Sequence, residues 1–73
     1  MNRSTAQQIE AIMRDVSSRI NQSIQLVMDS SSHDEFQNYR RSAGKIMGEI
    51  YLDILKPLYA EYPDLVPPEM KQL

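Results

Sequence analysis

Two amphipathic segments of similar length make up most of this chain, and only residues 29–32 separate them. In the first segment, apolar residues recur at steps of three and four, the spacing that puts side chains on one face of an α-helix. They form a stripe about 120° wide, and the opposite face is polar. The stripe consists of Ile9, Ile12, Met13, Val16, Ile20, Ile24 and Val27. The pattern predicts a one-sided helix over about residues 5–28, begun by a capping box at Ser4 or Thr5.

The short segment between the two stripes predicts a tight connection. Asp29 and the three serines at 30–32 have short polar side chains, which bond to neighbouring backbone and compete with helix propagation. Ser32 and Glu35 match the next capping box, and the acidic pair Asp34 and Glu35 suits the positive end of a helix dipole. Because the connection is short, we expect an all-α fold in which two antiparallel helices form a hairpin.

The second segment has an apolar stripe that covers about half of the helix circumference or a little more. The stripe consists of Phe36, Tyr39, Ala43, Ile46, Met47, Ile50, Tyr51, Ile54, Leu55, Leu58, Tyr59 and Tyr62. The first helix is too narrow to cover this stripe, and the excess predicts a partner. Pro57 cannot donate a hydrogen bond to the carbonyl of Asp53, so the helix over residues 33–62 should kink there.

The proline-rich residues 63–73 predict an extended C-terminal tail, because residues before proline favour extended or polyproline II backbone. Either the tail lies on the helices, with Leu65 and Val66 as anchors, or it is free. Its last residues, from Lys71 onward, are expected to fray.

The size of the chain favours self-association. A chain of 73 residues is one domain at most, and a monomer of this size buries only about 60% of the surface that its unfolded form exposes. Disulfides are excluded by the absence of Cys, and association is a common alternative for small folds. We expect two hairpins to form a homodimeric four-helix bundle with helices crossing at about 20°, through an isologous contact in which both chains use the same surface.

Eight residues of the second helix are candidates for that interface. Gly44 and Gly48 leave one flank without side chains, which suits close approach of another helix; a locally flexible helix and a ligand against the bare backbone are the alternatives. Arg40 either lays its stem on apolar surface with its head in water, or pairs across an interface, or binds an anion. The tyrosines suit contact surfaces. The predicted interface comprises Tyr39, Arg40, Gly44, Met47, Gly48, Tyr51, Leu55 and Tyr59.

Enzymatic and cofactor chemistry are not expected. His33, the only histidine, has no acid to orient it in a Ser-His-Asp arrangement, and no glycine-rich phosphate loop is present. Glu49 and Asp53 stand four residues apart but should face solvent, away from His33, so neither a metal nor a cofactor is expected. With a net charge of −2, the small basic cluster is too weak to predict nucleic-acid binding. That cluster consists of Arg40, Arg41 and Lys45.

No apolar run approaches the roughly 20 residues that cross a membrane, and residues 1–8 lack the features of a signal peptide. We therefore expect a cytoplasmic protein. The function that the pattern favours is a non-enzymatic, homo-oligomeric helical interaction or assembly module. The alternative is an accessory or chaperone-like subunit that binds a helix of another protein, and a nucleic-acid-binding regulator is less favoured.

Overall fold

Helix α1 spans Arg3–Ser30 in a computed structural model that describes residues 1–71 of the chain. Asn2 caps it: the side-chain oxygen of Asn2 accepts a hydrogen bond from the backbone N–H of Thr5 at 2.8 Å. The predicted capping boxes at Ser4 and Thr5 are therefore wrong. Asn2 is an equally strong N-cap residue and precedes them, so the helix begins earlier than its sequence pattern predicts.

Helix α2 spans His33–Glu49 and begins with the predicted cap. The Ser32 oxygen accepts a hydrogen bond from the N–H of Glu35 at 3.2 Å, and the Ser32 hydroxyl lies 3.0 Å from the Glu35 carboxylate. The two long helices run antiparallel, because residues later in the second helix contact residues earlier in α1. Tyr39 bonds to Ser23, whereas Tyr59 bonds to Glu10. The predicted hairpin is thus present, and none of residues 1–71 forms a β-strand.

The predicted kink near Pro57 takes the form of a π-helical segment at Ile50–Leu55, followed by helix α3 at Lys56–Glu61. At the end of this segment the Lys56 N–H bonds to the carbonyl of Tyr51, five residues back instead of four. Pro57 has no N–H with which to continue the α-helical ladder, and wide turns of this kind are a known cause of helix bending. The helical backbone nevertheless continues on both sides of the segment.

The π-helical segment changes which residues face α1. Before it, Ala43, Met47 and Ile50 follow one another at steps of four and three, but the next core residue is Leu55, five residues after Ile50. A continuous α-helix would place Ile54 over Ile50, yet Ile54 is 40% exposed. The wide apolar stripe of the sequence therefore combines two helical registers, and part of its excess width comes from this change.

The core lies at the end of the hairpin away from the connection. The buried apolar residues are Ala6, Ala43, Leu55, Leu58 and Tyr59, and all except Ala43 form one cluster. No large side chain among the described residues is completely buried. This small core lies between the N-terminal half of α1 and the C-terminal half of the second helix.

The tail is folded and not extended, which corrects the prediction. Pro63–Leu65 form a 3₁₀ turn and Pro68–Lys71 form the short helix α4. Proline has a fixed φ that suits the first turn of a helix, and it stands at the start of both elements. Leu65 and Val66, the predicted anchors, pack against the core together with Met70.

Two polar contacts hold the tail against the start of α1. Arg3 forms a salt bridge with Asp64, and the Tyr62 hydroxyl donates to the carbonyl of Met1 at 2.6 Å. The sequence predicts that the chain frays from Lys71 onward; Gln72 and Leu73 of this end lie outside the described residues. Among the residues that the structure does describe, no helix has both the length and the apolarity needed to cross a membrane.

The molecule measures 44 × 25 × 16 Å. Its smallest dimension is only slightly larger than the roughly 10–12 Å diameter of one helix with its side chains. The hairpin is therefore a single layer of helices, and within residues 1–71 only the tail lies over part of it, beside the N-terminal part of α1.

Candidate interaction site

The two broad sides of the hairpin can be assigned from Ala43, which is buried against α1. Tyr39 precedes Ala43 by four residues and Arg40 precedes it by three, so these two neighbours lie on either flank of the buried face. One broad side therefore contains Tyr39 and the opposite side contains Arg40. The seam between the helices separates them, although they are adjacent in the sequence.

The side that contains Tyr39 is rich in exposed apolar residues, and we call it the isoleucine side. The Tyr39 hydroxyl donates to the Ser23 hydroxyl at 2.7 Å, which shows the edge of α1 that belongs to this side. Helical spacing from these two residues gives the rest. The isoleucine side consists of Ile12, Val16, Arg19 and Ser23 of α1, and Glu35, Tyr39, Ile46 and Glu49 of α2. Ile12 and Ile46 are each 52% exposed.

The isoleucine side continues past α2 to Ile54, which stands five residues, one π-helical turn, after Glu49. An open groove of about 330 Å³ surrounds Ile54. Its lining is largely apolar but includes two carboxylates, Asp53 and Glu61. The other lining residues are Met1, Pro57, Leu58 and Tyr62. This end of the isoleucine side thus combines an apolar floor with negative charge.

The opposite side, which we call the arginine side, contains Arg40, Arg41, Gly44, Gly48 and Tyr51 of the second helix. Arg40, Gly44 and Gly48 follow one another at steps of four, Tyr51 follows Gly48 by three, and Arg41 shares the face of both glycines. Both arginines and Tyr51 are exposed. A Cβ atom added at either glycine would have no other group within 4 Å, so the surface has low relief there.

Replacing Gly44 with Ala should raise the free energy of unfolding of the isolated chain by about 1 kcal/mol. Nothing crowds the added methyl group, and no residue of the chain has a positive φ among residues 1–71. Urea unfolding at a protein concentration low enough to keep the chain monomeric would measure the change. Ala60→Gly, at an exposed position of α3, should lower stability by a similar amount. A loss of stability in Gly44→Ala would show that a group not seen here contacts Gly44.

A buried carboxylate that the sequence pattern did not reveal lies at the edge of the arginine side. Glu10 is 4% exposed and accepts a hydrogen bond from the Tyr59 hydroxyl at 2.7 Å. The Arg14 Nε lies 3.0 Å from one oxygen of Glu10 and 2.7 Å from the other. Sequence reasoning misses Glu10, because a charged residue is expected to face water. Its spacing does contain a signal, because Glu10 stands four residues after Ala6 and three before Met13, which places it on the helix face toward the core.

The Glu10 carboxylate and the Tyr59 hydroxyl tie α1 to α3. Burial, and then the bond to Glu10, raise the pKa of the Tyr59 hydroxyl well above its ordinary value. Arg14 and Tyr51 also act on the pKa of this hydroxyl, so both residues lie near it. Arg14 stands four residues after Glu10 and therefore lies at the same edge of α1. Every buried polar side-chain atom among the described residues has a hydrogen-bond partner. The cluster therefore stabilises the hairpin and offers no unpaired group for a reaction.

The structure divides the eight predicted interface residues into three groups. Tyr39 lies on the isoleucine side, and Met47, Leu55 and Tyr59 face the inside of the hairpin. Leu55 and Tyr59 are only 6% and 7% exposed, so the chain itself already covers them. The third group lies together on the arginine side and consists of Arg40, Gly44, Gly48 and Tyr51. A contact between chains at these four positions stays a prediction.

The described residues contain no group of three or more His, Cys, Asp or Glu side chains placed to hold a metal ion. Comparison of the chain with protein-family models, with curated proteins and with solved structures finds no match.

Proposed function

We propose that this chain is a non-enzymatic, homo-oligomeric helical interaction module. Its hairpins associate through their broad sides, and two of them together form a four-helix bundle. The observation that carries the proposal is the amount of apolar surface left uncovered. In residues 1–71, nine large apolar side chains are exposed, against five buried apolar residues. The exposed residues are Met1, Ile12, Leu26, Met28, Tyr39, Ile46, Tyr51, Leu52 and Ile54.

The energetics of a single layer support this proposal. Complete burial of a Leu or Ile side chain stabilises a fold by about 1.5–3 kcal/mol, and Ile12 and Ile46 keep about half of their surface in water. Small domains are only marginally stable, so contributions of this size are large for them. Packing one hairpin on another would bury these side chains without any change within the hairpin.

A second candidate function is binding of a helix from another protein. The groove around Ile54 favours it, because the lining combines apolar residues with the carboxylates of Asp53 and Glu61. An amphipathic helix with a basic flank would match both features. We place this candidate second, because the groove accounts for only part of the exposed apolar surface. In either case the cytoplasmic location expected from the sequence stays a prediction.

Light scattering on a size-exclusion column should give a molar mass of at least twice the 8.5 kDa of one chain at high protein concentration. The midpoint of thermal unfolding should rise with protein concentration, because association stabilises only the folded state. A folded monomer whose unfolding midpoint does not depend on concentration would contradict self-association. The groove around Ile54 would then become the leading candidate binding site.

A further inference from the structure

We propose that the chains associate head to tail, with the isoleucine side of one chain packed against the arginine side of the next. This inference rests on the proposed self-association and specifies the surfaces that meet. It differs from the isologous dimer expected from the sequence, in which each surface would meet its own copy.

Charge is the first reason for a head-to-tail contact. The α2 edge of the isoleucine side carries Glu35 and Glu49, and Asp53 and Glu61 lie around Ile54 farther along it. None of these carboxylates forms a salt bridge within residues 1–71. Contact between two isoleucine sides with α2 against α2 would place these negative charges near one another, which opposes association. The cations nearest to these carboxylates are Lys45, four residues before Glu49 at the outer edge of α2, and Arg19 of α1 at the opposite edge of this side.

The arginine side has the complementary charge. Arg40 and Arg41 are exposed, and neither forms a salt bridge within the part of the chain that the structure describes. Arg14 is also on this side, but Glu10 already neutralises it, and Glu69 of the tail lines a groove together with both residues. Contact between two arginine sides would bring unpaired cations together, whereas contact with an isoleucine side pairs them with carboxylates.

Surface relief is the second reason. The isoleucine side has protruding apolar side chains at Ile12 and Ile46, each about half exposed. The arginine side is low at Gly44 and Gly48, where an added Cβ would meet no side chain or other segment within 4 Å, and Tyr51 supplies apolar contact area beside them. A protruding side fits a low side better than it fits its own copy.

A head-to-tail contact leaves one broad side free at each end of a dimer. The two sides lie on opposite faces of one 16 Å layer, so further chains can add until a ring closes or a filament grows. The molar mass of the parent chain should therefore continue to rise with concentration beyond two chains. Added salt should lower it, because the paired charges are screened.

Two variants that each disable one side test the proposal. Ile46→Glu puts a charge on the isoleucine side, and Gly44→Leu fills the low part of the arginine side. Both positions are exposed, so circular dichroism should show intact helices. Each variant alone should be monomeric, with its association weakened at least about tenfold. An equimolar mixture should form a heterodimer, because one intact side remains on each partner.

Matched controls use an exposed position on neither proposed surface. Gln22→Glu adds the same charge, and Gln22→Leu adds the same side chain, on the outer face of α1 away from both sides. Both controls should associate like the parent chain.

The outcomes separate this inference from the proposed function. If the parent chain associates but the mixture stays monomeric, or if only one of the two variants loses association, head-to-tail packing is wrong and self-association stands. If the parent chain is monomeric at every concentration, self-association fails and the head-to-tail contact fails with it.

Discussion

Deletion of Asp53 should leave the hairpin folded, with a free energy of unfolding within about 1 kcal/mol of the parent chain. Asp53 is an exposed residue of the π-helical segment, where the core-facing step from Ile50 to Leu55 is five residues. Removing one residue makes that step four, which is the α-helical spacing. Leu55, Leu58 and Tyr59 would then keep their places in the core, while the segment becomes ordinary α-helix.

Deletion of Asp15 from the middle of α1 is the matched control. Asp15 is exposed too, but α1 has no π-helical turn that could absorb the lost residue. Every residue after it would rotate by about 100°, and the apolar residues beyond Asp15 would leave the seam. These are Val16, Ile20, Ile24 and Val27, all half-buried. The loss should amount to several kcal/mol, comparable with the whole stability of a small domain.

Circular dichroism during thermal and urea unfolding would compare the two deletions at one protein concentration. If both deletions destabilise the chain equally, Leu55 is not the core residue that follows Ile50 in the parent chain. The change of register at Ile50–Leu55 would then not be the cause of the exposure of Ile54.

Local chemistry allowed much of the hairpin to be predicted from the sequence. The cap at Ser32 was recognisable because a serine, an acidic residue three positions later and the start of an apolar stripe coincide there. The start of α1 was misplaced because Asn2, Ser4 and Thr5 are all competent caps, and their sequence spacing does not rank them.

The change of register in the second helix could not be predicted from periodicity. A helical wheel assumes a constant rotation per residue, and Ile54 and Leu55 are both apolar, so either could have faced the core. Pro57 indicated a disturbance but not the direction in which the helix would rotate. For this reason the sequence predicts Leu55 and Tyr59 at an interface between chains, although they are buried within one chain.

The grouping of the candidate site depended on the fold as well. Tyr39 and Arg40 are adjacent in the sequence, and only the burial of Ala43 between their positions shows that they belong to opposite sides. In the tail, Pro67 and Pro68 favour polyproline II as an isolated pair, yet Pro68 starts a helical turn once Val66 and Met70 pack on the core. Tertiary contacts decided both cases.

Replacing Tyr59 with Phe should lower the free energy of unfolding by about 1.5–3 kcal/mol, the usual contribution of a hydrogen bond to a charged group. Glu10 would remain buried with Arg14 as its partner but without the Tyr59 hydroxyl. Tyr39→Phe is the matched control, because its hydroxyl bonds to a neutral Ser23 hydroxyl at the surface. Its cost should be only about 0.5 kcal/mol. Urea unfolding of both variants and the parent chain would measure these differences, and equal costs would contradict a special role for Glu10.

The same substitution should change how stability depends on pH in the alkaline range. The folded-state pKa of Tyr59 is raised by burial and by Glu10, whereas in the unfolded chain the hydroxyl titrates near its ordinary pKa of about 10. Above that pH the unfolded chain loses this proton while the folded chain keeps it. The stabilisation is therefore complete below about pH 10 and is lost as the pH rises, by up to about 1.4 kcal/mol per pH unit.

The difference in unfolding free energy between the parent chain and Tyr59→Phe isolates this effect, because the other titrating groups are common to both. That difference should be constant near neutral pH and shrink above about pH 10, since the variant has no hydroxyl at this position to titrate. Urea unfolding from neutral to strongly alkaline pH would follow it. If the unfolding free energies of the two proteins depend on pH in the same way, the Tyr59 hydroxyl has the same pKa in the folded and unfolded chains. Its hydrogen bond to Glu10 would then not raise its pKa.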